Sequence, residues 1–106
     1  MVVTSAIFEA LADPTRRRVL ELLAERERSA GELAHAFTVS RPAVSRHLRV
    51  LREAGLVRFR GDAQRRIYRL EPAPLAELDT WLARYRGLWS DALDRLERHL
   101  DEKGDR

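Results

Sequence analysis

Residues 40–55 read SRPAVSRHLRVLREAG, and this stretch leaves the backbone few choices. Ser40 is a helix N-cap, with a hydroxyl that accepts one of the backbone N–H groups a helix start leaves unpaired. Pro42 fits the first turn, where its missing N–H loses nothing. Gly55 supplies the left-handed residue that commonly ends a helix. Between these signals Val44, Leu48 and Leu51 recur at steps of four and three, which places them on one face. Arg41, Ser45, Arg49 and Arg52 fall on the opposite face, with Arg46 on its flank and His47 at the border. The segment is therefore a helix with an apolar side to bury and a basic side to present.

The helix before it is short. Ser29 with Glu32 three residues on forms a capping box, and Leu33, Ala34 and Phe37 form the apolar side. A turn of about four residues joins the two, which is helix-turn-helix spacing. An α-helix fits the DNA major groove, where Arg reads guanine edges and Ser bonds bases or phosphates. The charge distribution agrees. Between Arg41 and Arg69 nine arginines face two acids, Glu53 and Asp62, a net of +7, whereas the rest of the chain nets −4. A basic middle with acidic flanks is the footprint of a polyanion-binding surface. The plainer reading of the same charges is a solvated arginine-rich face.

The remaining elements build one domain around that pair, which suits 106 residues, 44% of them hydrophobic. Ile7, Phe8, Leu11 and Ala12 predict a first helix that stops at Asp13-Pro14. Asp13 then caps a second helix that turns Val19, Leu20, Leu22 and Leu23 inward. Leu56, Val57 and Phe59 alternate with Arg58 and Arg60, and Ile67, Tyr68 and Leu70 return, so "GDAQRR" between them is the tip of a β-hairpin. From Leu75 apolar residues recur mostly every three or four positions through Tyr85, Trp89, Leu96 and Leu100. They predict a helix of about 25 residues, roughly 40 Å long at about 1.5 Å per residue. Trp81, Leu88 and Leu93 widen its apolar surface beyond one stripe, so one face can pack on its own domain and the other on a second copy; the plainer reading is a helix packed only within the monomer. Gly87 interrupts it without evident reason. The expected fold is mostly α with a β-hairpin wing, in the order four helices, two strands and a long helix. Residues 1–100 form the domain and residues 101–106 a frayed tail.

The segments LADPTRRRVLELL, GELAHAFTVSRPAVSRHLRVLREAGLVRFRG and RRIYRL together resemble the ArsR-type winged helix-turn-helix repressors, over roughly residues 6–100. The resemblance implies a homodimer built from the first and last helices, through Ile7, Phe8, Leu82, Tyr85, Trp89 and Leu96. It implies binding to an inverted-repeat operator in double-stranded DNA, and repression relieved by a signal such as a small-molecule inducer. By position, Ser40, Arg41, Ala43, Ser45, Arg46, His47 and Arg49 match the family's DNA-reading helix, and Arg65 and Arg66 match its wing.

Metal-sensing members often carry cysteines in the third helix, but "ELAHAFT" holds none, and the chain has no cysteine at all. Others carry Asp-x-His and a later His-x-x-Glu or His-x-x-His on the last helix. Here Asp79 is followed by Thr80 and Trp81, which leaves His99 and Glu102 as two ligands without the rest of a site. The metal-independent branch, with no cofactor, is the expectation. His35 and His47 read as ordinary polar residues rather than ligands. Trp81, Tyr85 and Trp89 read as dimer core, with a small-molecule pocket as the other use for them. Arg16 or Arg17, at the start of the second helix, touches phosphates, or else both face solvent and pair with nearby glutamates.

No nucleophile–base pairing, Gly-rich phosphate loop or metal cluster suggests an enzyme. No run of about 18 apolar residues spans a membrane, and the N-terminus lacks the basic lead and apolar core of a secretory signal, so a cytoplasmic protein is expected. The alternative to a DNA-binding regulator is a winged-helix module for protein–protein contacts, which has no need of +7 around its second helix.

Overall fold

In the computed structural model, which describes residues 5–104, the helix boundaries form where a side chain meets an unpaired backbone group. Helix α1 spans Ser5–Leu11 and α2 spans Pro14–Glu25. Asp13 Oδ2 accepts from the Arg16 backbone N–H at 3.0 Å and opens α2. The turn between the two helices is sealed from the other side. Arg16 donates to the carbonyls of Ala10 and Glu9 at 2.7 and 2.8 Å, and Arg17 donates to that of Leu11 at 2.8 Å. These are α1's last carbonyls, which have no partner within the helix. The sequence left Arg16 and Arg17 between phosphates on one side and solvent and glutamates on the other; within the chain their guanidiniums bond backbone oxygens.

Helix α3, Ala30–His35, opens on the expected capping box: Ser29 Oγ accepts from Glu32 N–H at 3.1 Å and Glu32 Oε1 accepts from Ser29 N–H at 3.2 Å. Helix α4, Arg41–Glu53, opens on Ser40, whose Oγ accepts from Ala43 N–H at 3.3 Å. It closes at Gly55, at φ 78°. There the Leu56 and Gly55 N–H groups bond the carbonyls of Leu51 and Arg52, each at 3.0 Å, as in a Schellman turn. Leu51 and Leu56, at the two ends of that turn, are both fully buried.

The core gathers Ala10, Val19, Leu20, Leu22, Leu23, Leu33, Val44, Leu48, Leu51, Leu56, Val57 and Tyr68. It thus draws on the apolar faces of α1 to α4 and on the root of the hairpin. Each Val or Leu among them contributes about 1.5–3 kcal/mol when fully buried.

The hairpin is longer and the sheet wider than the sequence suggests. Strands β2, Val57–Asp62, and β3, Arg65–Leu70, pair antiparallel from Val57↔Leu70 to Asp62↔Arg65, so the turn is only Ala63 and Gln64. A third strand, β1, consists of Arg28–Ser29 and pairs with β3 through Arg28↔Tyr68 and Ser29↔Ile67, giving the sheet order β1-β3-β2. The expected order lacks this strand because two residues have no periodicity to read. Ser29 serves both as strand residue and as cap of α3, which anchors the helix-turn-helix unit to the root of the wing.

Helix α5 spans Ala73–Gly104, 32 residues or about 48 Å at about 1.5 Å per residue. It starts two residues before the expected Leu75 and includes residues 101–104, expected as tail; residues 105–106 of that tail lie outside the described residues. Only its first turns touch the domain. Every residue from Leu82 to Glu102 is exposed, and the molecule measures 68 × 33 × 21 Å. Its radius of gyration is 19.0 Å, against about 13 Å for a compact domain of this length.

Candidate nucleic-acid interface

Helix α4 divides along its axis as its sequence requires. Val44, Leu48 and Leu51 are buried, and Arg41, Ser45, Arg46, Arg49 and Arg52 are exposed. Ser40 is exposed at the cap and Ala43 is half-buried behind it. The sheet then brings the wing alongside. Arg66 lines a cleft with Ser45, Arg49, Arg52 and Tyr68, and with Arg65 and Gln64 it lines a second hollow beside Arg41 and Gly31. The basic side of α4 and the facing side of β3 are therefore walls of one cleft. Arg41, on the first turn of α4, belongs as much to the wing hollow as to the helix face.

The arginines of the basic segment are not equivalent. Arg58 pairs with Glu71 at 3.2 Å, Arg60 with Glu27 at 3.1 Å, and Arg65 with Asp62 at 3.1 Å across the wing tip. Among the described residues Arg41, Arg46, Arg49, Arg52, Arg66 and Arg69 make no ion pair. The unneutralised positive charge thus gathers on α4 and on Arg66 and Arg69 of β3, while the outer strand is balanced by local acids. The pair at Arg65 is solvent-exposed on both sides and worth at most about 1 kcal/mol, so a phosphate can replace Asp62 there.

His47 sits differently from the other residues matched to a DNA-reading helix. Its side chain is 19% exposed, and its Nδ1 lies 3.3 Å from Arg16 Nη1 and 3.9 Å from Asp13 Oδ2. The residues that join α1 to α2 thereby also hold the middle of α4. Asp13 keeps its proton less tightly than an ordinary Asp, chiefly because its carboxylate accepts the Arg16 backbone N–H.

One residue of the cleft and one packed against its arginines escape the sequence reading. Arg52 projects onto the basic face, yet the resemblance does not match it to the DNA-reading set. Phe59 reads only as an alternating strand residue. In the structure the Arg52 guanidinium lies 5.1 Å from the centre of the Phe59 ring and that of Arg66 lies 4.9 Å from it.

The residues expected at a dimer interface separate into two groups. Ile7 is only 3% exposed within one chain and offers a partner little. Phe8, Leu82, Tyr85, Trp89 and Leu96 are open, Trp89 to 68%. Phe8 stands edge-on to Trp81 at 5.3 Å and Trp81 leans on Tyr85 at 5.0 Å, so α1 and α5 share one aromatic surface. Leu82, Tyr85, Arg86, Leu88 and Trp89 shape an open apolar groove of about 530 Å³ along α5. His99 and Glu102 lie together near its end, beside Arg95 and Arg98. Among the described residues no three of His, Cys, Asp and Glu come together as a metal-holding group, and no helix is long and apolar enough to cross a membrane.

A capped helix-turn-helix pair followed by a β-hairpin that shares its basic cleft defines a winged helix-turn-helix protein. Residues 13–58 match the model of the family described as bacterial regulatory protein, arsR family. The chain is 47% identical over 98 residues to the HTH-type transcriptional regulator Rv2034 of Mycobacterium tuberculosis, covering 92% of this chain and 89% of that one. It is 33% identical over 79 residues to the transcriptional repressor SdpR of Bacillus subtilis, covering 74% of this chain and 88% of the repressor. The solved ArsR-like transcriptional regulator from Rhodococcus sp. RHA1 superposes with a TM-score of 0.74 at 31% identity, over 92% of this chain and 90% of that one. The chain belongs to the ArsR family and is a transcriptional regulator. Its relatives are regulators and not enzymes.

Proposed function

We propose that the chain is a homodimeric, DNA-binding repressor that reads an inverted-repeat operator without a bound metal. The observation that carries this reading is the shared cleft of α4 and the wing, where Arg41, Arg49, Arg52 and Arg66 stand unpaired among the described residues, with Arg46 exposed and unpaired on the flank of α4. Unpaired guanidiniums on a groove-sized helix suit guanine edges and phosphates. Ser40, Arg41, Ala43, Ser45, Arg46 and Arg49 are assigned to the major groove and Arg65 and Arg66 to the wing contact. His47 is assigned to the same surface through its position on α4, held from behind by Arg16.

The dimer is supported by α5. Leu82, Tyr85, Trp89, Leu96 and Leu100 recur along a helix that its own domain leaves uncovered, which is how a helix–helix seam looks before it is paired. A two-fold dimer presents two recognition helices and so calls for an inverted repeat. Repression follows the likeness to the repressor SdpR. The metal-independent assignment rests on the absence of cysteine and on the Asp79-Thr80-Trp81 sequence. A regulator of this kind works in the cytoplasm, beside its DNA.

The test is fluorescence anisotropy of the purified protein on duplex DNA from its own upstream region and on a scrambled duplex, at two salt concentrations, with light scattering for the mass. Preference for the native duplex that survives the higher salt, from a protein of dimer mass, is the expected result. Equal binding of both duplexes, vanishing with salt, removes the operator from the reading. No binding at either salt replaces it with the protein–protein module. Release of the DNA by added zinc or arsenite overturns the metal-independent assignment.

A further inference from the structure

Phe59 occupies an unusual place for an aromatic residue. It lies mid-strand in β2 and is 37% exposed. Its neighbours Arg58 and Arg60 point to the other face of the strand, where Glu71 and Glu27 neutralise them. On its own face Phe59 meets its cross-strand partner Tyr68, ring to ring at 5.5 Å, and Tyr68 is buried in the core. The ring is thus fixed from below and open above. Two guanidiniums gather on it: Arg52 from the last full turn of α4 and Arg66 from β3, at 5.1 and 4.9 Å.

These two cations share one ring with no acid between them, and among the described residues neither takes part in an ion pair or a hydrogen bond. Each contact to the ring is attractive, but the two like charges repel one another. Such an arrangement suits an anion that both can reach. It lies where the recognition helix ends and the wing begins, in the cleft they share with Ser45 and Arg49. In a helix-turn-helix it is the N-terminal part of the recognition helix that contacts base edges. The C-terminal turn, which carries Arg52, then faces the sugar-phosphate backbone.

From this we infer that Phe59 is a positioning residue that holds Arg52 and Arg66 as a clamp for a backbone phosphate of the bound duplex. The inference rests on the DNA-binding reading and assigns two residues, Phe59 and Arg52, that the family positions leave out. The ring restricts two long, flexible side chains before DNA arrives, so less of their freedom is lost on binding. It also ties the end of α4 to the wing, which sets the separation between the two DNA-contacting parts.

The test is the slope of log affinity against log salt, measured by anisotropy on the preferred duplex and on a scrambled one. Each phosphate contact contributes about 0.9 to that slope on B-DNA. Arg52→Ala and Arg66→Ala are each expected to reduce it by about 0.9, with the same fold-loss on both duplexes. Phe59→Leu is expected to reduce it by up to about 0.9, Phe59→Trp to restore it, and Phe59→Leu to add nothing in an Arg52→Ala/Arg66→Ala background. A wild-type slope in Phe59→Leu overturns the clamp, as does a Phe59→Leu loss that persists without the two arginines. If Phe59→Leu does not fold by circular dichroism, Arg52→Ala decides alone: an unchanged slope overturns the clamp. Failure of the wild-type chain to bind any duplex overturns the DNA reading and the clamp with it. Wild-type binding with a reduced slope in Arg65→Ala, but not in Arg52→Ala or Phe59→Leu, overturns the clamp only.

Discussion

Arg49 and Arg65 are both exposed arginines of the basic segment, and their settings give them different work. Arg49 is unpaired among the described residues and projects from the middle of α4. Arg49→Ala is expected to cost about 1–3 kcal/mol on the preferred duplex and to relax the choice at one base pair. Arg65 stands at the wing tip and in the proposed complex exchanges Asp62 for a phosphate, so Arg65→Ala is expected to weaken binding to every sequence and to flatten the salt slope by about 0.9. Anisotropy on single-base variants of the duplex separates the two, and equal, sequence-independent losses would remove Arg49 from base readout. Asp13 acts on stability instead. Its carboxylate caps α2, and Asp13→Ala is expected to cost about 1 kcal/mol at neutral pH. The Arg16 N–H lowers its folded pKa below the ordinary 3.8. Its contribution is therefore complete above about pH 4 and is lost as pH falls through the lowered value. Urea unfolding near pH 7 and near pH 3 should show the gap between wild type and Asp13→Ala closing in acid. A gap of constant size would mean that the cap works without its charge.

At the scale of elements, two sites carry backbone choices that substitution can improve. Ala63, the first residue of the two-residue turn, has φ 56°, in the left-handed region. That conformation costs a residue with a Cβ about 1–2 kcal/mol. Glycine removes this cost and gives back part of it through the entropy of the unfolded chain. Ala63→Gly is expected to stabilise the protein by about 0.5–1 kcal/mol in chemical denaturation; a loss of stability would show that the turn adopts another form in solution. Gly87 lies in the interior of α5, and a Cβ placed there meets no atom within 4 Å. It is two residues from both Tyr85 and Trp89, hence about 200° round the helix from each. A partner seated on that aromatic face would leave it uncovered. Gly87→Ala is expected to add about 0.5–1 kcal/mol through helix propensity. A fall in melting temperature would place a second helix over this position.

At the scale of the molecule, the long unsupported α5 is the feature on which the proposed dimer rests. A helix of this length with Tyr85, Leu88, Trp89, Leu96 and Leu100 exposed presents more apolar surface than an isolated domain ordinarily leaves to water. Trp89→Asp puts a charge into the proposed seam, and light scattering should then find half the wild-type mass at micromolar concentration. A variant that keeps the dimer mass would move the interface off this face.

How much of this was legible in the sequence depended on distance along the chain. The caps Asp13, Ser29 and Ser40, the terminating Gly55 and the buried Val44, Leu48 and Leu51 were readable because each depends on groups within one or two helical turns. The basic face of α4 and the wing followed from the same local patterns, and with them the fold class. Strand β1 was not readable, because Arg28 and Ser29 become a strand only when Tyr68 and Ile67 arrive beside them. Nor did the residues reveal where Arg16 and Arg17 end, since the carbonyls they bond belong to a different helix. The sequence by itself determined which segments are helices, which of their faces are apolar and where the positive charge lies. Only the tertiary structure decided which arginines are neutralised and which are grouped, as Arg52 and Arg66 are on Phe59, because that depends on contacts between residues far apart in the chain.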